Sequence, residues 1–175
     1  MKAILSLFIT PLLWKVTLAN DPNVYCLDGI RTALAGIVFD GTDPEDYWAN
    51  ICTNNLSVTS MWAATKVYCS NREITAGEEM LGGYCTEYGS VTLVPYSDVL
   101  PKLTQNFIKS MPIVEFKDVD SPVIWNSSVL ISAGLFKASK RTVVRYSQKA
   151  FGTKRELTLP QSVFEMSYIL DSRYG

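Results

Sequence analysis

Apolar residues return at helical spacing through the first half of the chain. Ile30, Leu34, Ile37 and Val38 define one helix face, and Asp28 stands where a cap would start it. The run Gly41-Thr42-Asp43-Pro44 breaks that element. Met61, Trp62, Thr65 and Tyr68 then repeat the spacing up to Cys69. Ser70-Asn71-Arg72-Glu73 matches a capping box, in which the Ser70 hydroxyl accepts the Glu73 amide and the Glu73 carboxylate accepts the Ser70 amide. Ile74, Gly77, Leu81, Tyr84 and Tyr88 continue the pattern. Gly77 on that face permits close helix approach, and Gly82-Gly83 weakens the last turns. Residues 26–88 are thus predicted to be helical. Glu78 and Glu79 point about 100° apart on such a helix and suit a solvated face better than a catalytic pair.

The second half is less regular. Val91-Thr92-Leu93-Val94 reads as a short β-prone run stopped by Pro95, and Ile113-Val114-Glu115-Phe116 as another extended piece. Leu100, Leu103, Phe107 and Ile108 predict a short helix ending before Pro112, and 118–122 a loop. Phe136, Val143, Tyr146 and Ala150 space a last helix over 133–151. The fold class expected is mainly α: a small, disulfide-stapled helical bundle with short extended segments and a C-terminal basic helix.

Charge separates along the chain. Residues 20–136 carry 6 basic and 14 acidic side chains, whereas 137–155 hold Lys137, Lys140, Arg141, Arg145, Lys149, Lys154 and Arg155 and no acid. One reading is a solvated helix face docked on the acidic body. The other is contact of Lys137, Lys140, Arg141 and Arg145 with anionic headgroups or an anionic ligand.

The first 19 residues obey a different logic. Lys2 precedes the apolar stretch from Ala3 to Leu13, and Thr17-Leu18-Ala19 ends in small residues. This is the pattern of a secretory signal peptide, with an uncleaved anchor as the alternative. Three segments follow: a signal peptide over 1–19, a cysteine-containing helical ectodomain over 20–155 and a loosely held tail over 156–175. Beyond residue 19 no apolar stretch approaches the ~18–20 residues a membrane helix needs, Val129 to Phe136 being the longest candidate.

An oxidising destination turns the four cysteines, Cys26, Cys52, Cys69 and Cys85, into disulfide candidates. A helix from Cys69 to Cys85 would hold them roughly 24 Å apart, against about 4.4–6.8 Å between bonded Cα atoms. An up-down-up arrangement instead favours Cys26–Cys69 and Cys52–Cys85 among the three pairings that four cysteines allow. Asn55-Leu56-Ser57 and Asn126-Ser127-Ser128 are N-glycosylation sequons, so Asn55 and Asn126 are candidate glycan carriers.

The chain has no histidine. A Ser–His or Cys–His nucleophile, an imidazole zinc site and bis-histidine haem ligation are therefore excluded. There is no GxGxxG after a strand, no P-loop and no GxSxG. The aromatics do not interleave with basic residues as a nucleic-acid platform requires, so no nucleic-acid partner is expected.

Lys66-Val67-Tyr68-Cys69-Ser70, Glu73-Ile74, Gly77 and Tyr84-Cys85-Thr86-Glu87-Tyr88-Gly89 resemble the N-terminal extracytosolic region of fungal ferric-chelate reductases. Val91 to Pro95, Val129 to Ser132 and Phe136 to Val143 fit the same region. The resemblance covers roughly Cys26 to Arg145 and is most specific from Val67 to Gly89. It implies an outer domain accessory to iron or copper reduction, secreted or at the outer face of the plasma membrane, with a membrane reductase core or cell-surface partner. Haem, FAD and NADPH serve the full-length family. No catalytic, cofactor or metal residue maps onto this chain, which alone is expected not to be an enzyme. The alternative is a free-standing secreted interaction or effector protein. A small secreted hydrolase is a third class, with no acid–base constellation in its favour.

Overall fold

The computed structural model describes residues 21–43 and 45–152. The expected signal peptide over 1–19 and tail over 156–175 lie outside the described residues. Asp21 opens the fold by accepting the Asn23 amide at 2.9 Å, which starts a 3-10 turn, Pro22–Val24, that runs into helix α1, Tyr25–Leu34. After β1, Val38–Phe39, comes α2, Tyr47–Thr53, capped by Asp46. Asn54 then takes an extended conformation, and its side chain accepts the amides of Leu56 and Ser57 at 3.1 Å each. This cap ends one helix and begins the next, α3, Asn55–Tyr68. Cys52 thus lies in α2, ahead of α3 rather than at its start.

Helix α3 sits at the centre. Every residue from Ser57 to Thr65 is buried, including four hydroxyl side chains. Two of the hydroxyls bond to the helix backbone: Thr65 donates to the Met61 carbonyl at 2.8 Å and Ser60 to the Leu56 carbonyl at 2.7 Å. A stretch covered on all sides needs no polar face, so periodicity across 57–65 is weak.

Helix α4, Asn71–Gly89, begins with the expected capping box. The Ser70 amide donates to Glu73 Oε2 at 2.9 Å and the Glu73 amide to Ser70 Oγ at 3.4 Å. The helix continues through Gly82-Gly83 and ends at Ser90, which has φ 51°. Cys85, beyond the two glycines, is anchored by its disulfide, which offsets their low helix propensity. At Gly77 an added Cβ would lie 2.5 Å from the Leu27 Cβ, so α1 and α4 meet where only glycine fits.

Cys26 is bonded to Cys69 and Cys52 to Cys85, with Cα separations of 5.9 and 6.0 Å. This is the pairing that helix geometry favours. It ties the start of α1 to the end of α3, and α2 to the end of α4.

The second half wraps this frame with short elements. The run 91–94 is not a strand. It has no strand beside it; the Val94 amide donates to the Cys52 carbonyl at 3.2 Å and the Trp62 indole to the Val94 carbonyl at 2.9 Å. The single helix expected around Leu100–Ile108 is divided into α5, Tyr96–Val99, a 3-10 turn, Leu100–Lys102, and α6, Gln105–Ser110. Thr104 restarts the chain by capping the Phe107 amide at 3.2 Å. Then β2, Ile113–Val114, a 3-10 turn, Phe116–Asp118, β3, Ile124–Trp125, and β4, Leu130–Ile131, lead to α7, Ala133–Gly152. β1 pairs with β3 and β2 with β4, both in parallel.

The protein is therefore a small, mainly α domain held by two disulfides. Its first compact unit ends at Val143, a buried residue of α7. The second unit begins at Val144, and its described part, 144–152, is helical.

Candidate functional site

The most developed side-chain constellation stands where α1, α2 and α4 meet. Asp28 and Arg31 are one turn apart on α1, and the guanidinium grips the carboxylate: Nε and Nη2 lie 2.8 and 2.7 Å from Asp28 Oδ1. Nη1 donates to the Tyr47 hydroxyl at 2.8 Å. The guanidinium carbon lies 5.6 Å from the Trp48 ring centroid, within cation–π range. Burial works against this charge, but Tyr47 and Asp28 outweigh it and raise the Arg31 pKa.

Trp48 gathers tyrosines around it. Tyr88 stacks on it at 5.5 Å between centroids, Tyr84 meets it edge-on at 5.6 Å, and Tyr47 at 5.1 Å. Gly89 makes room, since a Cβ there would come 2.8 Å from the Trp48 Cβ. Tyr84 and Trp48 are half-buried, while Tyr88 is 44% exposed. Desolvation raises the pKa of both Tyr84 and Tyr88, with Asp28 adding to it at Tyr84 and Glu87 at Tyr88. The phenols thus stay protonated at neutral pH. This is an aromatic ridge on an internally neutralised arginine. It can stack and accept or donate hydrogen bonds, and it is poorly suited to moving protons.

Arg31 and Trp48 did not stand out in the sequence. The signals were there in the Asp28/Arg31 spacing and in the Tyr84/Tyr88 repeat. Nothing local, however, says that Tyr47-Trp48 lies against both.

A second feature is a groove of about 350 Å³ lined by Leu56, Phe107, Ser110, Met111, Pro112, Ser127 and Ser128. The sequon asparagines Asn55 and Asn126 are both exposed.

The basic residues of α7 do not act as one set. Lys140 Nζ lies 2.8 Å from Glu73 Oε1 and 5.8 Å from the Phe136 centroid. Lys140 is thus paired with a carboxylate of the acidic body, which is the docking that the first of the two readings describes. Lys137 and Arg141 are exposed, one helical turn apart. Arg145, in the second unit, is also exposed. Glu78 and Glu79 are separated as expected: Glu78 Oε1 accepts the Tyr96 amide at 2.7 Å, and Glu79 faces solvent.

Neither histidine nor thiolate is available here to ligate the haem that the resemblance brings with it. The chain lacks histidine, and all four cysteines are in disulfides. Among the described residues no group of three or more His, Cys, Asp or Glu is placed to hold a metal ion, and no helix is long and apolar enough to cross a membrane. Comparison with known proteins finds no matching family model, no similar curated protein and no similar solved structure. The two disulfides assign the chain to an oxidising, extracytosolic setting.

Proposed function

We propose that the chain is a non-catalytic extracytosolic binding module. The observation that carries this reading is the ridge of Trp48, Tyr84 and Tyr88, mounted on helices that the Cys52–Cys85 disulfide locks together. Rigid, half-buried aromatics present contact area at little entropic cost. Entry into the secretory pathway, loss of residues 1–19 and glycans at Asn55 and Asn126 complete the proposal.

The specific form of the module follows the resemblance across Val67–Gly89: an outer domain accessory to a ferric-chelate reductase in iron or copper uptake. Its partner is then a membrane reductase core, which carries the haem, FAD and NADPH chemistry. The ridge itself favours a second form, a free-standing secreted interaction or effector protein.

Deleting the chain in cells that produce it, and measuring surface reduction of a ferric chelate, separates the two forms. A lower rate, restored by the native chain and not by a Trp48→Ala, Tyr88→Ala variant, supports the reductase form. An unchanged rate removes it and leaves the interaction protein. Stoichiometric haem or flavin in the purified chain overturns the non-catalytic reading.

A further inference from the structure

The two sequons, distant in sequence, border one groove. Leu56 is the middle residue of Asn55-Leu56-Ser57, and Ser127 and Ser128 complete Asn126-Ser127-Ser128; all three line the same cavity of about 350 Å³. The Val129 amide donates to Ser60 Oγ at 2.8 Å, pinning this segment to α3. The Leu130 amide donates to the Pro112 carbonyl at 2.8 Å, pinning it to the stretch after α6. The opposite wall is Phe107, 37% exposed, with Met111 and Pro112.

We propose that this groove seats the first N-acetylglucosamine of a glycan carried on Asn126. A pyranose presents an apolar face of C–H groups and a rim of hydroxyl and amide groups. Phe107, Leu56, Met111 and Pro112 match the face, and Ser110, Ser127 and Ser128 match the rim. The volume lies near the lower end of the roughly 300–1,000 Å³ of small-ligand sites, which suits one sugar. Asn126 lies in a bend just after β3, and both residues that follow it reach the groove. Asn55 is fixed as the first residue of α3, and only Leu56 of its sequon reaches the lining. Its glycan stands on the rim.

Attachment joins Asn126 Nδ2 to the anomeric carbon of a lipid-linked oligosaccharide diphosphate. The bond from that carbon to the diphosphate breaks, the diphosphate leaves with the electron pair, and the amide gives up one proton. The attached sugar then covers Phe107, an apolar surface that would otherwise face water.

The inference rests on the proposed secretory passage, and its test separates the two. The full chain is secreted from eukaryotic cells, its intact mass is measured, and hydrogen exchange is followed over 105–112. Asn126→Gln and Ser128→Ala each remove one glycan and speed that exchange about tenfold, the factor expected from uncovering one aromatic side chain. Trimming to a single N-acetylglucosamine leaves exchange slow, and Asn55→Gln does not change it. A glycan on Asn126 whose removal leaves exchange unaltered overturns this inference alone, as does an equal effect of Asn55→Gln. Secreted chain without a glycan on Asn126 also overturns it. Chain that never enters the pathway overturns the secretory reading with it.

Discussion

Lys140 Nζ lies 2.8 Å from Glu73 Oε1, so the last helix is fastened to the capping box that starts α4. The same carboxylate serves both, with Oε2 accepting from Ser70 and Oε1 from Lys140. One proton on Glu73 would weaken a helix cap and a tertiary bridge together.

That coupling gives a pH dependence. Partial burial works against the Glu73 charge, but hydrogen bonds from Lys140 and from the Ser70 amide and hydroxyl outweigh it and hold the pKa below the ordinary glutamate value. A depressed folded pKa contributes stability that is present above the unfolded value and lost as pH falls through the folded one. Thermal unfolding between pH 7 and pH 3 should show this loss in the native chain and a smaller one in Glu73→Gln. Lys140→Ala should cost about 0.5–1 kcal/mol at neutral pH, and less in high salt.

Glycine substitutions in α4 should diverge in sign. Gly77→Ala drives a methyl into Leu27 and should destabilise by about 1–3 kcal/mol. Gly82→Ala and Gly83→Ala meet nothing within 4 Å and should each stabilise by about 0.5–1 kcal/mol. Urea denaturation of the three variants checks the pattern.

Removing the Cys26–Cys69 bridge by a double alanine substitution should cost about 2–5 kcal/mol. Cys69→Ala alone should add a free thiol at Cys26, which thiol titration and unreduced peptide mapping will reveal.

The aromatic ridge should report itself by titration. Tyr84 and Tyr88 are expected to ionise above the ordinary tyrosine value, because desolvation and nearby acidic groups disfavour the phenolate. Ultraviolet phenolate absorbance should rise late in the native chain, and Tyr84→Phe should remove part of that late phase. Arg31→Met leaves Asp28 without its main partner and should destabilise by about 1–3 kcal/mol.

The helical half was legible because its signals are local, except that Ile37 and Val38, expected on the face of the first helix, lie beyond its end at Leu34, with Val38 in β1. The Ser70/Glu73 box and the spacing through Ile74, Leu81 and Tyr84 are written within a few residues, and the helical rise then restricts the cysteine pairing. The break at Asn54 was harder to see, since it depends on one side chain turning onto the amides of Leu56 and Ser57. Val91–Val94 carries β propensity but finds helix-side partners in Cys52 and Trp62, a tertiary choice that propensity does not contain. The candidate site was the least legible part. Arg31, Trp48 and Tyr84 come from three helices, and their meeting depends on how the frame closes rather than on any local motif.

The two disulfides span overlapping stretches, residues 26–69 and 52–85. A single cut of the backbone anywhere between Cys26 and Cys85, including at the exposed Gly41 or Glu45, leaves every fragment covalently joined. A protease that nicks this half changes neither the mass beyond one water nor the number of molecules until a reductant is added. A cut after residue 85 has no such safeguard, and the pieces stay together only by packing. Outside the cell, where peptidases are abundant and reductants scarce, the α1–α4 frame would outlast the wrapping that carries β2, β3 and α7.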